Sequence, residues 1–403
     1  MTDSVSPSLL LLPPPPHPAN RAALSAAYRP SLTSVIARLK QLDHSHGAVL
    51  IVAVAAPVLE GPFRRSKSLH WSDAQSLLAG IYSILSIVCA ELQVNAVVNA
   101  GRGSVDARVV LVDHRPTQSS GLDDFRPAIE TNNTVVVDLA TFASAYHPWS
   151  HIFSVDTEAG HQLLTKFLVL LEKIQVLKQD QIITVQGGLT LNIASSAASG
   201  PTTPLYDVVC LGGTFDHLHP GHKLLLTAAA LLLNVPPDAP SKPCRFVIGI
   251  TGDELLKNKK YAEFVQSWDD RANYVIEFLS SILALRLQGW KHGQTLKLER
   301  KDGGISALFR DDTISIDCVV IQDAYGPTVT VEAMDALVVS GETRSGGAAV
   351  NDKRRSLGWH AMEVFEVDVL NTEDITDETA QKSDFATKIS STAIRRQKAE
   401  SRM

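Results

Sequence analysis

The chain has 403 residues, is 45% hydrophobic and 20% charged, and carries a formal net charge of −6 with a pI near 6.1. That length allows two or three domains with cores of their own. The slightly acidic balance argues against a nucleic-acid coat or a membrane-surface protein but leaves room for a local basic pocket, so the expected partners include neither nucleic acid nor membrane.

The N-terminal stretch MTDSVSPSLLLLPPPPHPAN has four leucines with no basic residues before them, then four prolines. It suits neither a signal peptide nor a membrane span, and no apolar run along the chain approaches the ~18 residues of a span. Residues 1–20 therefore read as a disordered Pro-rich arm with a short polyproline II segment. Residues 21–193 read as an N-terminal α/β domain, because strand-like and helix-like runs alternate. A helix is expected over Pro30–Leu42, with Pro30 at its start. Strands are expected at Ala48–Val58, Val94–Val98, Arg108–Val112 and Thr134–Leu139, and a strand or hairpin at Ile182–Ile193. Helices are expected at Ser72–Leu92, capped by Ser72, and at Thr157–Ile174. This half offers little chemistry. Gly101-Arg102-Gly103 is too short for a nucleotide fingerprint, Arg64, Arg65 and Lys67 suit a solvated loop, and His147, His151 and His161 have no metal-ligand spacing.

Residues 194–204, ASSAASGPTTP, have the composition of a linker. Residues 205–403 then read as a doubly wound parallel α/β domain. Its expected strands are Val208–Leu211, Arg245–Thr251, Thr295–Arg300, Asp317–Ile321, Ala336–Val339 and Ala361–Val369. Its helices are expected to open at Pro220, Ser267, Gly347 and Ser390. The four cysteines, Cys89, Cys210, Cys244 and Cys318, include no CxxC pair, and buried free thiols in a reducing compartment are expected.

The chemistry concentrates in four clusters of this second half. Tyr206–Leu226, YDVVCLGGTFDHLHPGHKLLL, is a buried strand, a Gly212-Gly213 turn, a histidine-rich loop and a helix start at Pro220. Ligands of such sheets bind beyond the strands' carboxyl ends, where this loop would lie. His219 and His222 flank a helix N-terminus whose free N–H groups favour an anion. The second cluster is Lys257, Lys259 and Lys260, and the third is Asp323, Tyr325, Gly326 and Pro327. The fourth runs from Lys388 to Arg395 and offers Ser390, Ser391 and Thr392 as hydroxyl donors and Arg395 as a fork-shaped cation. No lysine follows a glycine, so there is no Walker A loop, and G-x-S-x-G is absent. His217, His219 and His222 could be spaced as metal ligands, but no further ligand stands at a familiar distance. What remains is phosphate chemistry without a P-loop.

GGTFDHLHPGHKLLL, GITGDELLKNKK, DAYGP, VVSGETRSGGAAVNDKRR and KISSTAIRR together resemble the nucleotidyltransferases that carry HxGH and ISSTxIR motifs. Within that superfamily they resemble phosphopantetheine adenylyltransferase of the eukaryotic, fungal monofunctional type. The resemblance implies a Rossmann-like fold and a cytoplasmic enzyme of coenzyme A synthesis. Such an enzyme joins ATP and 4′-phosphopantetheine into dephospho-CoA and pyrophosphate. It implies that His222 and His219 act on the α-phosphate, and that Thr214 holds the attacking phosphate. One of Lys257, Lys259 and Lys260 is implied in binding phosphopantetheine, with Lys257 favoured. Gly213, Phe215, Tyr325, Gly326 and Glu342 are implied in contacting nucleotide, and Ser390, Ser391, Thr392 and Arg395 in gripping the β- and γ-phosphates. Mg²⁺ would arrive on the ATP phosphates, with no metal held by the protein. The ending shortly after Arg396 and the missing Walker A imply that no kinase domain follows. The alternatives are a cytidylyltransferase of phospholipid-precursor type, which the KISSTAIRR ending disfavours, and a non-catalytic scaffold of the coenzyme A pathway. The extra N-terminal half suggests contacts with other enzymes of that pathway.

Overall fold

Ser8–Leu12 (β1) is fully buried, with each leucine at most 1% exposed, and lies in the interior of a six-stranded parallel sheet. This corrects the expectation of an arm over residues 1–20. A run of four leucines can be an interior strand because both faces of a parallel sheet are covered and no alternation is required. The computed structural model describes residues 6–42, 45, 47–63, 66–114, 132–145, 148–172, 174–190, 200–236, 242–283, 297–368, 370 and 390–401. Arg64, Arg65, His147, Lys388 and most of the 194–204 stretch lie outside them.

After β1 come α1 (Arg21–Lys40), β2 (Ala48–Ala55), β3 (Leu59–Phe63), β4 (Ser66–Leu69), α2 (Trp71–Glu91) and β5 (Val105–Asp113). Then follow β6 (Val137–Asp138), α3 (Leu139–Ala145), β7 (Ile152–Asp156), α4 (Glu158–Leu171) and β8 (Ile182–Gln186). The sheet order is β6-β5-β2-β1-β7-β8, and β3 and β4 form a separate hairpin. Pro30 lies inside α1 rather than at its start, and Asn20 caps the helix by accepting from the Ala23 amide at 2.9 Å. Pro30 cannot bond the Ala26 carbonyl, and the Leu189 amide does so instead at 3.1 Å, which offsets the usual cost of an internal proline. Val94–Val98 is not a strand. Thr134–Leu139 contributes only Val137–Asp138, because Asp138 accepts from the Thr141 amide and starts α3. The cap of α2 is His70, not Ser72, and β8 is a single strand rather than a hairpin.

The second half contains β9 (Val208–Gly213), α5 (Pro220–Ala230), β10 (Cys244–Thr251), α6 (Trp268–Leu283), β11 (Leu298–Lys301), β12 (Gly304–Phe309) and β13 (Ile314–Ile321). It ends with β14 (Ala336–Ser340), α7 (Arg344–Ser356), β15 (Glu363–Val367) and α8 (Ser391–Glu400). Strands β13-β10-β9-β14-β15 are parallel, as expected, but β11 and β12 add an antiparallel edge. The expected third parallel strand is therefore one arm of a hairpin. Asp302 (φ 51°) and Gly303 (φ 76°) supply its turn, a conformation that an Asp-Gly pair adopts at low cost.

One core runs through both halves. It joins Leu32, Ile81 and Val109 to Leu224, Phe246 and Ile276. Helix α2 is buried almost all round, as expected of a helix covered on all sides. By length and composition it could cross a membrane, which the apolar-run argument overlooked, but most of its apolar stretch is inside the molecule. All four cysteines are free and buried.

Candidate functional site

The carboxyl edge of the second sheet gathers the clusters. Strand β9 ends at Gly212-Gly213, and Gly212 pairs with Gly249 of β10. Neither can be enlarged freely: a Cβ on Gly249 would stand 2.5 Å from Ile321 Cδ1, and one on Gly212 3.3 Å away. A Cβ on Gly213 would stand 2.9 Å from the Phe215 ring. The close packing of this edge, as much as backbone freedom, selects glycine there.

Beyond Gly213 the chain turns through Phe215 (φ 52°) and His217 (φ 48°), both left-handed. This turn is strained for non-glycine residues and is held by its partners. Phe215 is fully buried, so its ring belongs to the core rather than to a ligand-facing surface. Asp216 is also fully buried. Its carboxylate accepts from Arg395 Nη1 at 2.5 Å and from the Gln266 amide at 3.0 Å. Arg271, fully buried on α6, donates to the Thr214 carbonyl at 2.6 Å, to the Thr251 carbonyl at 2.8 Å and to Asp253 at 2.6 Å. Thr214 itself remains partly exposed.

His219 caps α5, Pro220 opens it, and His222 follows one turn on. The two imidazoles stack with centroids 3.8 Å apart and planes 25° apart, and His222 also meets the Phe215 ring at 5.3 Å. Both residues are partly exposed, while both Nδ1 atoms are buried without a hydrogen-bond partner. Burial, with the Lys223 cation beside it, pushes His219 down to about 3. Burial and the neighbouring His219 hold His222 well below its ordinary value. Both are therefore neutral at pH 7, each able to give one N–H to an anion. A Cβ on Gly221 would press on the His219 ring at 3.2 Å, so this glycine keeps room for the stack. His217 points elsewhere: its Nε2–H donates to the Phe264 carbonyl at 3.0 Å, and its Nδ1 lies 3.4 Å from Lys398. Among the described residues, no group of three or more His, Cys, Asp or Glu is placed to hold a metal.

The distant helix α8 docks onto this loop. Ser390 caps it by accepting from the Ala393 amide, and Ser391 Oγ donates to the Asp216 carbonyl at 2.8 Å. Arg395 is 2% exposed. Besides Asp216 it bonds Thr392 Oγ1 and the Lys260 carbonyl, both at 3.1 Å. Its guanidinium is thus a brace joining three clusters, while Ser390 and Thr392 at the start of α8 are exposed. Lys257, Lys259 and Lys260 are exposed beyond β10, and Lys257 pairs with Glu254. In the third cluster, Asp323 accepts from the Tyr325 and Gly326 amides, which hold its carboxyl below the usual range. Gly326 (φ 53°) packs on Ile321, and Tyr325 packs on the sheet face that carries Cys210 and Met334. Glu342 is exposed just beyond β14.

Sequence reasoning gave no role to Arg271 or Gln266. Their only trace is an arginine and a glutamine near the start of an amphipathic helix, a common surface pattern. Lys223 likewise passed as an ordinary helix residue, although it is fully buried.

A family model described as Domain of unknown function (DUF8446) matches residues 1–191. Over 191 residues, 47% of the chain, it is 34% identical to a protein of Saccharomyces cerevisiae named phosphopantetheine adenylyltransferase, and covers 48% of that protein. Over 193 residues, 48% of the chain, it is 33% identical to an uncharacterized protein of Schizosaccharomyces pombe, again covering 48%. Over 187 residues, 46% of the chain, it is 29% identical to a phosphopantetheine adenylyltransferase of Pyrococcus abyssi, covering 87%. The matched stretch thus spans about half the length of the two yeast relatives.

Proposed function

We propose that the chain is a nucleotidyltransferase that moves the adenylyl group of ATP onto 4′-phosphopantetheine, giving dephospho-CoA and pyrophosphate. The observation that carries this reading is the docking of α8 onto the Asp216 loop. It ties the helix that Ser390 starts to Asp216, on the loop that leads from the partly exposed Thr214 to the stacked, neutral histidine pair. The names of the Saccharomyces and Pyrococcus relatives support the same reaction class.

The chemistry asks little of a base. A phosphate nucleophile is charged at neutral pH, so catalysis is positioning and charge stabilisation. His222 and His219 give N–H bonds to the α-phosphate as charge builds, and neutral rings do so without a proton leaving the site. Thr214 offers a hydroxyl to the incoming phosphate. Ser390 and the first amides of α8 hold the departing pyrophosphate, while Arg395 fixes that helix instead of touching the ligand. Lys257 exchanges its exposed partner Glu254 for phosphopantetheine. Mg²⁺ would come with the nucleotide and neutralise its phosphates. A panel of ATP and CTP with 4′-phosphopantetheine, read as pyrophosphate release, tests the proposal. Release with ATP is expected. Release with CTP and a phosphorylated alcohol would favour a cytidylyltransferase, and no release with either would leave a scaffold.

A further inference from the structure

The residue after His222 is tied to the other half of the chain. Lys223 Nζ donates to Asp106 Oδ1 at 2.5 Å, to the Ala96 carbonyl at 3.0 Å and to the Ala107 carbonyl at 3.2 Å. Three acceptors use all three N–H bonds of an ammonium, so Lys223 is charged although fully buried. Asp106 is the second residue of β5 and also takes Arg108 Nε at 2.9 Å and Nη2 at 2.5 Å. Burial alone would raise its carboxyl, but Arg108 and Lys223 outweigh it and hold it at about 2. Arg108 reaches on to Glu277 of α6 at 3.2 Å.

A buried aspartate is a poor choice if adhesion is the only need. Taking a cation and a carboxylate out of water costs several kcal/mol per ion, and apolar pairs of the same volume often hold as well. What such a network adds is direction: three acceptors at fixed positions define where Lys223 can sit. Other contacts hold the same helix end. The Val98 amide donates to the Leu218 carbonyl at 3.4 Å, just before the histidine loop. On the other side, Gln75 of α2 holds Asp368 through two hydrogen bonds, and Leu370 beyond it lies beside Gly221.

We propose that Asp106 is a positioning residue for the histidine pair: through Lys223 it sets the rotation and axial place of α5, and so the aim of His219 and His222. The inference rests on the reading of those histidines as the groups facing the nucleotide. Reacting groups must be held to within about 0.5 Å, and an error near 1 Å can cost about 100-fold in rate.

The test compares wild type, Asp106→Asn, and the apolar pair Asp106→Leu with Lys223→Met, all in the full chain. Pyrophosphate release and thermal melting are both measured. Asp106→Asn is expected to lower kcat per folded molecule by roughly 10-fold to 100-fold, with KM for ATP within about 2-fold. The apolar pair is expected to regain the melting temperature but not the turnover. Recovery of both, or an unchanged kcat in Asp106→Asn, would reduce the network to structural glue and overturn the inference. If wild type releases no pyrophosphate, the functional reading fails and positioning is read separately, from ring signals of ¹⁵N-histidine-labelled protein. Shifted His219 and His222 signals in the apolar pair sustain positioning, and unmoved signals refute it.

Discussion

The two halves are both built on largely parallel sheets, yet their polar clusters meet different partners. In the second half the candidate ligand groups sit past the strand ends, in the Gly213–His222 loop, the lysines after β10 and the Asp323 turn, while the in-strand pair Asp317–Arg245 stays within that half's own sheet. In the first half the most deeply placed charges, Asp106 and Arg108, lie within the first half of β5 and bond groups of the other half. Groups beyond a strand end can meet a ligand, because the backbone there has left the ladder. Groups within a strand can only meet what packs on the sheet. The difference suggests that the first half acts by what it holds in place rather than by chemistry of its own.

The largest effect expected from breaking this arrangement is on the isolated second half. A chain starting near residue 200 exposes the face of α5 that carries Lys223, Thr227, Ala228 and Ala230, together with the surface under Trp71. It is expected to be insoluble or to melt without cooperativity in calorimetry, and a well-folded, active fragment would refute the shared core.

Single contacts come next. Arg395→Met leaves Asp216 buried without its cation and is expected to cost about 3–5 kcal/mol in denaturant unfolding. Trp71→Ala removes a side chain that donates to the Ala228 carbonyl at 2.8 Å and meets the Phe365 ring at 5.1 Å. It is expected to cost a similar amount, about 3–5 kcal/mol. The first change should also blunt catalysis through the α8 dock. The second should act on turnover only as far as α5 shifts.

His222→Ala should do the reverse. Turnover is expected to fall roughly 10²–10³-fold, as loss of one transition-state donor does, while the melting temperature moves little. Near-normal turnover would remove the histidine pair from the chemistry.

The pH dependence of stability is the most gradual effect. His219, depressed to about 3, and His222, held well below its ordinary value, stay neutral when folded but take up protons near 6.5 when unfolded. Their contribution is complete above pH 6.5 and is lost as pH falls toward the folded values. Each ring contributes a slope of at most about 1.4 kcal/mol per pH unit in that window. Denaturant unfolding at pH 7 and pH 5 should show the loss, and the His219→Gln, His222→Gln pair should flatten it.

Much of the second half was legible in sequence because its signals are local. Val208–Gly213 is an apolar run ending in two glycines, Pro220 marks a helix start, and Ser390 precedes its helix as a cap. Local signals failed where a partner far away in the chain decided the outcome. Four leucines before four prolines carry no periodicity, and only β2 and β7 on either side make them a strand. Pro30 marks a helix start by every local rule, and only Leu189 makes its place inside a helix tolerable.

Sequence alone determined the residue types that meet a phosphate: two histidines at a helix start, a threonine after paired glycines, and a hydroxyl-rich cap. Tertiary structure alone decided which of them face outward. Phe215 turned inward, its ring buried between Gly213 and His222. Arg395 became a brace because Asp216 is buried and needs a cation. Lys223 became the link between halves because a buried ammonium must find three acceptors, and β5 and its preceding loop provide them. Burial and the matching of donors to acceptors depend on what packs nearby, which no local spacing records.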